Sequence, residues 1–196
     1  MRDIARQTIV GVLALQGDHE AHARSVRALG FVARAVKAPE HLAGVSALLL
    51  PGGESSTMLK LIEAEGLREP LRDFCASGQP VLGTCAGAIL LAREVTSPAQ
   101  ASLNALDIEV ERNAYGRQLD SFVGRIDDGE PGFEDLEAVF IRAPAIRRVG
   151  NAVSVLARHG GQPVLVRAGN VWAATFHPEL SSDPRLLRSV LAPLAS

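Results

Sequence analysis

Gly83-Thr84-Cys85-Ala86-Gly87 sets one thiol between two glycines, in a chain with only two cysteines. "PVLG" leads into the thiol and "AILLA" follows it, which reads as a strand-to-helix junction. G-x-nucleophile-x-G is the pattern of a nucleophile elbow, here with cysteine in the serine position. The turn is tight, so side chains in place of the glycines would strike the neighbouring strand and helix. The helix N-terminus favours negative charge on the sulfur, and the Ala86 N–H points to where an oxyanion would form. A buried structural cysteine at a helix start fits the same pentapeptide, since free cysteine is among the most buried residue types. Cys75, in "RDFCASG" on a helical stretch, has no such setting and reads as structural.

A thiol nucleophile needs a base, and the base needs a group to orient it. "VWAATFHPEL" ends an apolar strand at Phe176 and continues as His177-Pro178-Glu179. Proline stiffens that turn, so Glu179 can hold one imidazole nitrogen while the other faces Cys85. Alone, a histidine at a strand end is usually just solvated or hydrogen-bonded. With the elbow, it completes a Cys-His-Glu set. "LLLPGGESST" puts Gly52 and Gly53 after another buried strand, where their N–H groups would complete an oxyanion hole. A plain turn followed by an N-cap from Ser55 or Ser56 fits those residues too. His19 and His22, beside Asp18 and Glu20, read as a solvated helix face rather than a metal site.

The elements that must position these groups follow from the pattern of apolar residues. "TIVGVLALQGD", "FVARAV", "VSALLLPGG" and Pro80–Gly83 read as strands, the first and third buried on both faces. Between them lie a helix capped by Asp18 and stopped at Gly30, then helical stretches at Met58–Glu65 and Leu67–Ser77. Another helix starts at or just after Cys85. Beyond about residue 105, "LDIEVERN", "SFVGRI", "AVFIRA", "SVLARH", "PVLVRAG" and "VWAATFH" read as shorter, alternating strands, and Pro184–Leu194 as a closing helix. The expectation is a three-layer α/β sandwich with a largely parallel central sheet, extended by mixed or antiparallel strands. Ligands then belong at the carboxyl ends of the parallel strands.

Bulk properties exclude several classes. A chain of 196 residues, 47% hydrophobic and 21% charged, fits a single globular domain spanning residues 1–196 without disulfide or metal staples. A net charge of −2, with 18 arginines scattered along the chain, offers no pull toward nucleic acid or anionic membrane. No stretch nears the roughly 20 apolar residues of a membrane span, and "MRDIARQ" is too polar and short for a signal peptide. With two cysteines, a cytoplasmic protein with reduced thiols is expected. Neither a metal nor a cofactor is expected.

The elbow cysteine, the later His-Pro-Glu and the upstream Pro-Gly-Gly resemble the class I (triad) glutamine amidotransferases. "LALQGD", "LPGGESST", "GTCAG", "ERNAYGRQLDSF", "FIRAP" and "FHPEL" together resemble one subfamily, the glutaminase subunits of ribose 5-phosphate-dependent pyridoxal 5′-phosphate synthases. The likeness runs from about Thr8 to Leu191 and leaves out only a short N-terminal extension and the last residues. "ERNAYGRQLDSF" is its most specific stretch. The resemblance implies a flavodoxin-like sandwich that hydrolyses L-glutamine to L-glutamate and ammonia. The ammonia would go to a synthase subunit that uses ribose 5-phosphate and glyceraldehyde 3-phosphate. It implies Cys85 as nucleophile, His177 as acid and base, and Glu179 as the orienting carboxylate. Glutamine contacts would fall on Gly53, Glu54, Ser55, Arg112, Ile141 and Arg142, and the oxyanion hole on Gly53 and Ala86. An arginine suits the α-carboxylate and Glu54 the α-ammonium, while the choice of arginine stays open. Gln16 resembles the family's loop residue that orders the oxyanion hole under control of the partner.

Three other readings compete. A glutaminase subunit such as that of imidazole glycerol phosphate synthase shares the triad but should lack "ERNAYGRQLDSF". A non-catalytic module of the same fold should have lost Cys85, His177 or Glu179. A cysteine chaperone or protease on a related sheet would not carry His-Pro-Glu.

Overall fold

Apolar strands that alternate with helices build the sheet, and a computed structural model describes residues 8–112, 114 and 121–195 of it. In chain order the elements are β1 (Ile9–Leu13), α1 (His19–Ala28), β2 (Val32–Val36), β3 (Ala47–Leu50), α2 (Ser55–Ala64), α3 (Arg68–Ala76) and β4 (Val81–Thr84). Next come α4 (Ala86–Leu91), β5 (Ala92–Thr96), β6 (Leu106–Glu111), β7 (Phe122–Arg125), β8 (Asp128–Gly129), β9 (Glu137–Phe140) and β10 (Ala145–Val149). The chain closes with β11 (Ser154–His159), β12 (Gln162–Ala168), β13 (Val171–Ala174) and α5 (Arg185–Leu191).

The central sheet has eight strands in the order β2-β1-β3-β4-β13-β12-β11-β8. From β2 to β13 all neighbours run parallel, and from β13 to β8 all run antiparallel. β3 and β4 are buried at every position, as "ALLL" and "VLGT" require of strands covered on both faces. On one face Leu48, Leu50 and Val81 pack against Met58 and Ile62 of α2, Leu71 and Phe74 of α3, and the whole of α4. On the other, Val10, Val12, Leu49 and Leu82 meet Val26 of α1 and Leu186, Leu187, Val190 and Leu191 of α5. Each fully buried leucine contributes about 1.5–3 kcal/mol to this three-layer arrangement.

The C-terminal half departs in part from the expected single extended sheet. β8, β11 and β12 do extend the central sheet, but β10-β6-β5 and β7-β9 form separate sheets of three and two strands. Alternation marks a strand without saying which edge will pair with it. The helix after Cys85 is six residues long and turns directly into β5 at Ala92. Asp18 occupies the N-cap position of α1, yet its side chain makes no capping bond. Its backbone carbonyl accepts instead, from the N–H groups of Ala21 and His22. Among the described residues, no helix is long and apolar enough to cross a membrane.

Candidate active site

Four neighbouring parallel strands, β1, β3, β4 and β13, deliver their carboxyl ends to one place. They carry in turn the loop with Gln16, the Pro51-Gly52-Gly53 turn, Cys85, and His177. The elbow is closely packed. A Cβ on Gly87 would lie 2.0 Å from the Leu50 carbonyl oxygen, and one on Gly83 would lie 2.5 Å from the Gly87 carbonyl oxygen. Only glycine lets β3, β4 and α4 approach so closely. Cys85 itself takes φ 49° and ψ −105°, a conformation that L-residues rarely adopt. Its N–H donates to the Ala174 carbonyl at 2.9 Å, which ties the elbow to the end of β13.

Cys85, His177 and Glu179 form one buried row, exposed by only 7%, 5% and 8%. The His177 ring and the Cβ of Cys85 both flank Gly52, and His177 Nδ1 donates to Glu179 Oε1 at 2.7 Å. The His177 N–H donates to the Val139 carbonyl at 2.8 Å, fixing the backbone beneath the ring to β9. Burial pulls the His177 imidazole down, but its bonds to Cys85 and Glu179 and their negative charges outweigh this and push it up to about 10. Burial pushes the Glu179 carboxyl up, yet the pull of His22 and the His177 bond bring it down to about 2. Asp18 also approaches His177 and Glu179, with one ligand-type atom from each within 4.8 Å of the others. The bond between His177 Nδ1 and Glu179 already engages both of those side chains.

These values fix a pH dependence. The stability that His177 gains as an imidazolium is complete below its ordinary value of 6.5 and is lost as pH rises through about 10. The contribution of Glu179 is complete above its ordinary 4.5 and is lost as pH falls toward about 2. Thermal melts across this range should plateau between the two ordinary values and decline on either side. In Cys85→Ala the alkaline limb should shrink, because the bond and the charge that Cys85 supplies to His177 are gone. An unchanged alkaline limb would show that the pair does not hold the imidazolium.

A family model described as the SNO glutamine amidotransferase family matches residues 12–191. The chain belongs to the SNO glutamine amidotransferase family. A relative from Koribacter versatilis (strain Ellin345), named pyridoxal 5′-phosphate synthase subunit PdxT, is 52% identical over 177 residues, 90% of this chain and 91% of its own. The protein of that name from Thermotoga neapolitana is 47% identical over 182 residues, covering 93% and 97%. A crystal structure of a glutamine amidotransferase superposes with a TM-score of 0.88 at 48% identity, over 95% of this chain and 99% of that one.

Among the other residues that family resemblance pointed to, Ile141 reaches the row, and Glu54, Ser55 and Arg112 bond to one another or to their neighbours. The Ile141 carbonyl lies 4.0 Å from Cys85 Sγ, and the next residue, Arg142, takes φ 44° on the same loop. Gln16 Oε1 accepts the Glu54 N–H at 2.9 Å. Glu54, not Ser55 or Ser56, caps α2, accepting the N–H groups of Ser56 at 3.0 Å and Thr57 at 2.6 Å. Slight burial raises the Glu54 carboxyl, but these bonds more than reverse that and bring it down to about 2. Arg112 Nη2 donates to Glu54 Oε1 at 3.1 Å and to Ser56 Oγ at 2.6 Å. Ser55 is buried, and both serine hydroxyls donate to Gln100 Oε1 at 3.2 Å. Ala86 opens α4, where first-turn N–H groups lack intrahelical partners. Most of "ERNAYGRQLDSF", residues 113 and 115–120, lies outside the described residues, as does "MRDIAR".

Two further residues were not singled out correctly from sequence. Gln100 carried no signal at all. His22, expected on a solvated face, is only 2% exposed, with Nε2 3.0 Å from Thr84 Oγ1 and 3.2 Å from Glu179 Oε2. The clue to its burial was positional: His22, Val26 and Leu29 stand at i, i+4 and i+7 on one stripe of α1.

Proposed function

We propose that the chain is the glutaminase subunit of a pyridoxal 5′-phosphate synthase, working as one cytoplasmic unit that hydrolyses L-glutamine and passes ammonia to a synthase subunit. The observation that carries this reading is the buried row Cys85–His177–Glu179 at the carboxyl ends of the parallel strands. The thiolate of Cys85 attacks the side-chain amide carbon of glutamine, and the N–H groups of Gly53 and Ala86 receive the negative oxygen. His177 gives its proton to the departing nitrogen, so that ammonia leaves and a γ-glutamyl thioester remains. His177 then takes a proton from water, and the resulting hydroxide cleaves the thioester to glutamate and regenerates the thiolate. Glu179 holds the ring in place and stabilises its charge throughout. Around this row, Gly53, Glu54, Ser55, Arg112, Ile141 and Arg142 are assigned to contacts with glutamine, Glu54 suiting its α-ammonium and an arginine its α-carboxylate.

Gln16 supports a further part of the reading, a gate under the control of the partner. Its side chain holds the N–H that follows Gly53, while the Gly52 carbonyl oxygen lies against the Cα of Gly17. A trans peptide places its N–H opposite its C=O, so the direction of the Gly52–Gly53 peptide decides whether the Gly53 N–H serves as an oxyanion donor. Synthase binding against the Gln16–Gly17 loop sets that direction. Glutamate release should therefore be slow for the isolated chain and rise about 100- to 1,000-fold with the synthase subunit, the usual worth of one oxyanion donor. Gln16→Ala should lose most of that rise while still binding glutamine. Full activity of the isolated chain would remove the gate, and no glutamate release from the complex would remove the function.

A further inference from the structure

Behind the row, on the side away from Cys85, lies a cavity of about 230 Å³ between α1, the Pro178–Asp183 turn and α5. His22, Glu179, Leu82 and Leu187 are among the residues that line it. Glu179 turns its two oxygens to different histidines. Oε1 receives His177, whereas Oε2 is buried, has no hydrogen-bond partner of good geometry among the described residues, and faces His22 Nε2 at 3.2 Å. The same nitrogen lies 3.0 Å from the hydroxyl of Thr84, which is fully buried and immediately precedes Cys85. An ionised carboxylate can only accept, so Nε2 facing it carries the proton and presents its positive edge to both oxygens.

We propose that His22 is a positioning residue for the glutaminase row. It holds Glu179 from behind and links that carboxylate to the nucleophile's own strand through Thr84. The inference rests on the glutaminase reading above. Without His22 the carboxylate keeps its bond to His177 but loses its second restraint, so the imidazole is oriented less often toward the thiol. The electrostatic pull of His22 on the Glu179 carboxyl agrees with this. A residue that acts only through Glu179 changes the chemical step and leaves glutamine binding alone.

The test is glutamine hydrolysis by the complex with the synthase subunit, for the wild type, His22→Ala and His22→Gln. In His22→Ala, kcat should fall about 10- to 100-fold with KM little changed, the scale on which outer partners of ligating histidines act. Millimolar imidazole should restore much of that loss, because the cavity beside the lost ring gives it a way in. His22→Gln, which keeps a donor at about the reach of Nε2, should retain most of kcat. Wild-type kcat in His22→Ala would overturn the proposal. So would a loss confined to KM, or a loss that neither imidazole nor glutamine at this position repairs. If His22→Ala does not fold, His22→Gln decides alone, and a kcat as low as about one-hundredth of wild type in a folded protein counts against the proposal. A wild-type complex that releases no glutamate would instead refute the glutaminase reading itself.

Discussion

Cys85→Ala is expected to abolish glutamine hydrolysis by the complex, on the order of 10⁶-fold in kcat, the scale reached when a triad nucleophile is removed. It should also abolish γ-glutamyl labelling by an affinity analogue of glutamine, while Cys75→Ala keeps both activities. The two thiols differ because of where the fold puts them. Cys85 stands on the elbow beside an imidazole that its surroundings push up to about 10. Burial pushes the Cys75 thiol up to about 12, so it remains a thiol, and a poor nucleophile, at neutral pH. Labelling followed by peptide mapping and steady-state assays on both variants would settle the matter. Near-normal turnover by Cys85→Ala would sink the mechanism.

Gly52→Ala should come next in effect, for a reason of space. A Cβ there would lie 2.3 Å from His177 Cε1, 3.0 Å from Nδ1 and 3.3 Å from the Cβ of Cys85. The imidazole has little room to retreat, since Glu179 holds it at 2.7 Å and Val139 holds its backbone at 2.8 Å. Relief comes by turning the ring away from the sulfur. The expected loss in kcat is about 10²- to 10⁴-fold, the worth of a positioned general acid and base. Circular dichroism should stay native-like, because the collision is with one side chain at the rim of the sheet and not with its core. Wild-type kcat in a folded Gly52→Ala would mean that His177 does not need its present position.

Much of the site was legible because each part sits inside a short local signal. A buried strand running into Pro-Gly-Gly, a cysteine between glycines, and a strand ending in His-Pro-Glu each announce both a group and its place at a carboxyl end. Parallel order then brings those ends together without further information. His22 was misread because its partners, Thr84 and Glu179, lie 62 and 157 positions away in sequence, and no local pattern names them. The apolar run "AILLA" has no preferred period and marks no end to the helix that starts near Cys85, so the switch to β5 at Ala92 is a tertiary decision. Glu54 displaced the serines as cap because its longer side chain reaches back to two N–H groups at once. Beyond residue 105 the alternating segments match β6, β7, β9, β11, β12 and β13 but miss β8 and β10, and the division into three sheets depends on edges that alternation does not distinguish.

The left-handed backbone at Cys85 sets the reaction against the durability of the fold. An L-residue held at φ 49° and ψ −105° carries strain on the order of 1–3 kcal/mol. A whole domain is held together by only about 5–15 kcal/mol. Glycine would release that strain, and with it the thiol. Mutational drift at this one position therefore runs in a definite direction: relaxation of the backbone favours the dead enzyme over the live one. A stability-guided redesign of this chain that scores residue 85 by its backbone alone would select against the nucleophile.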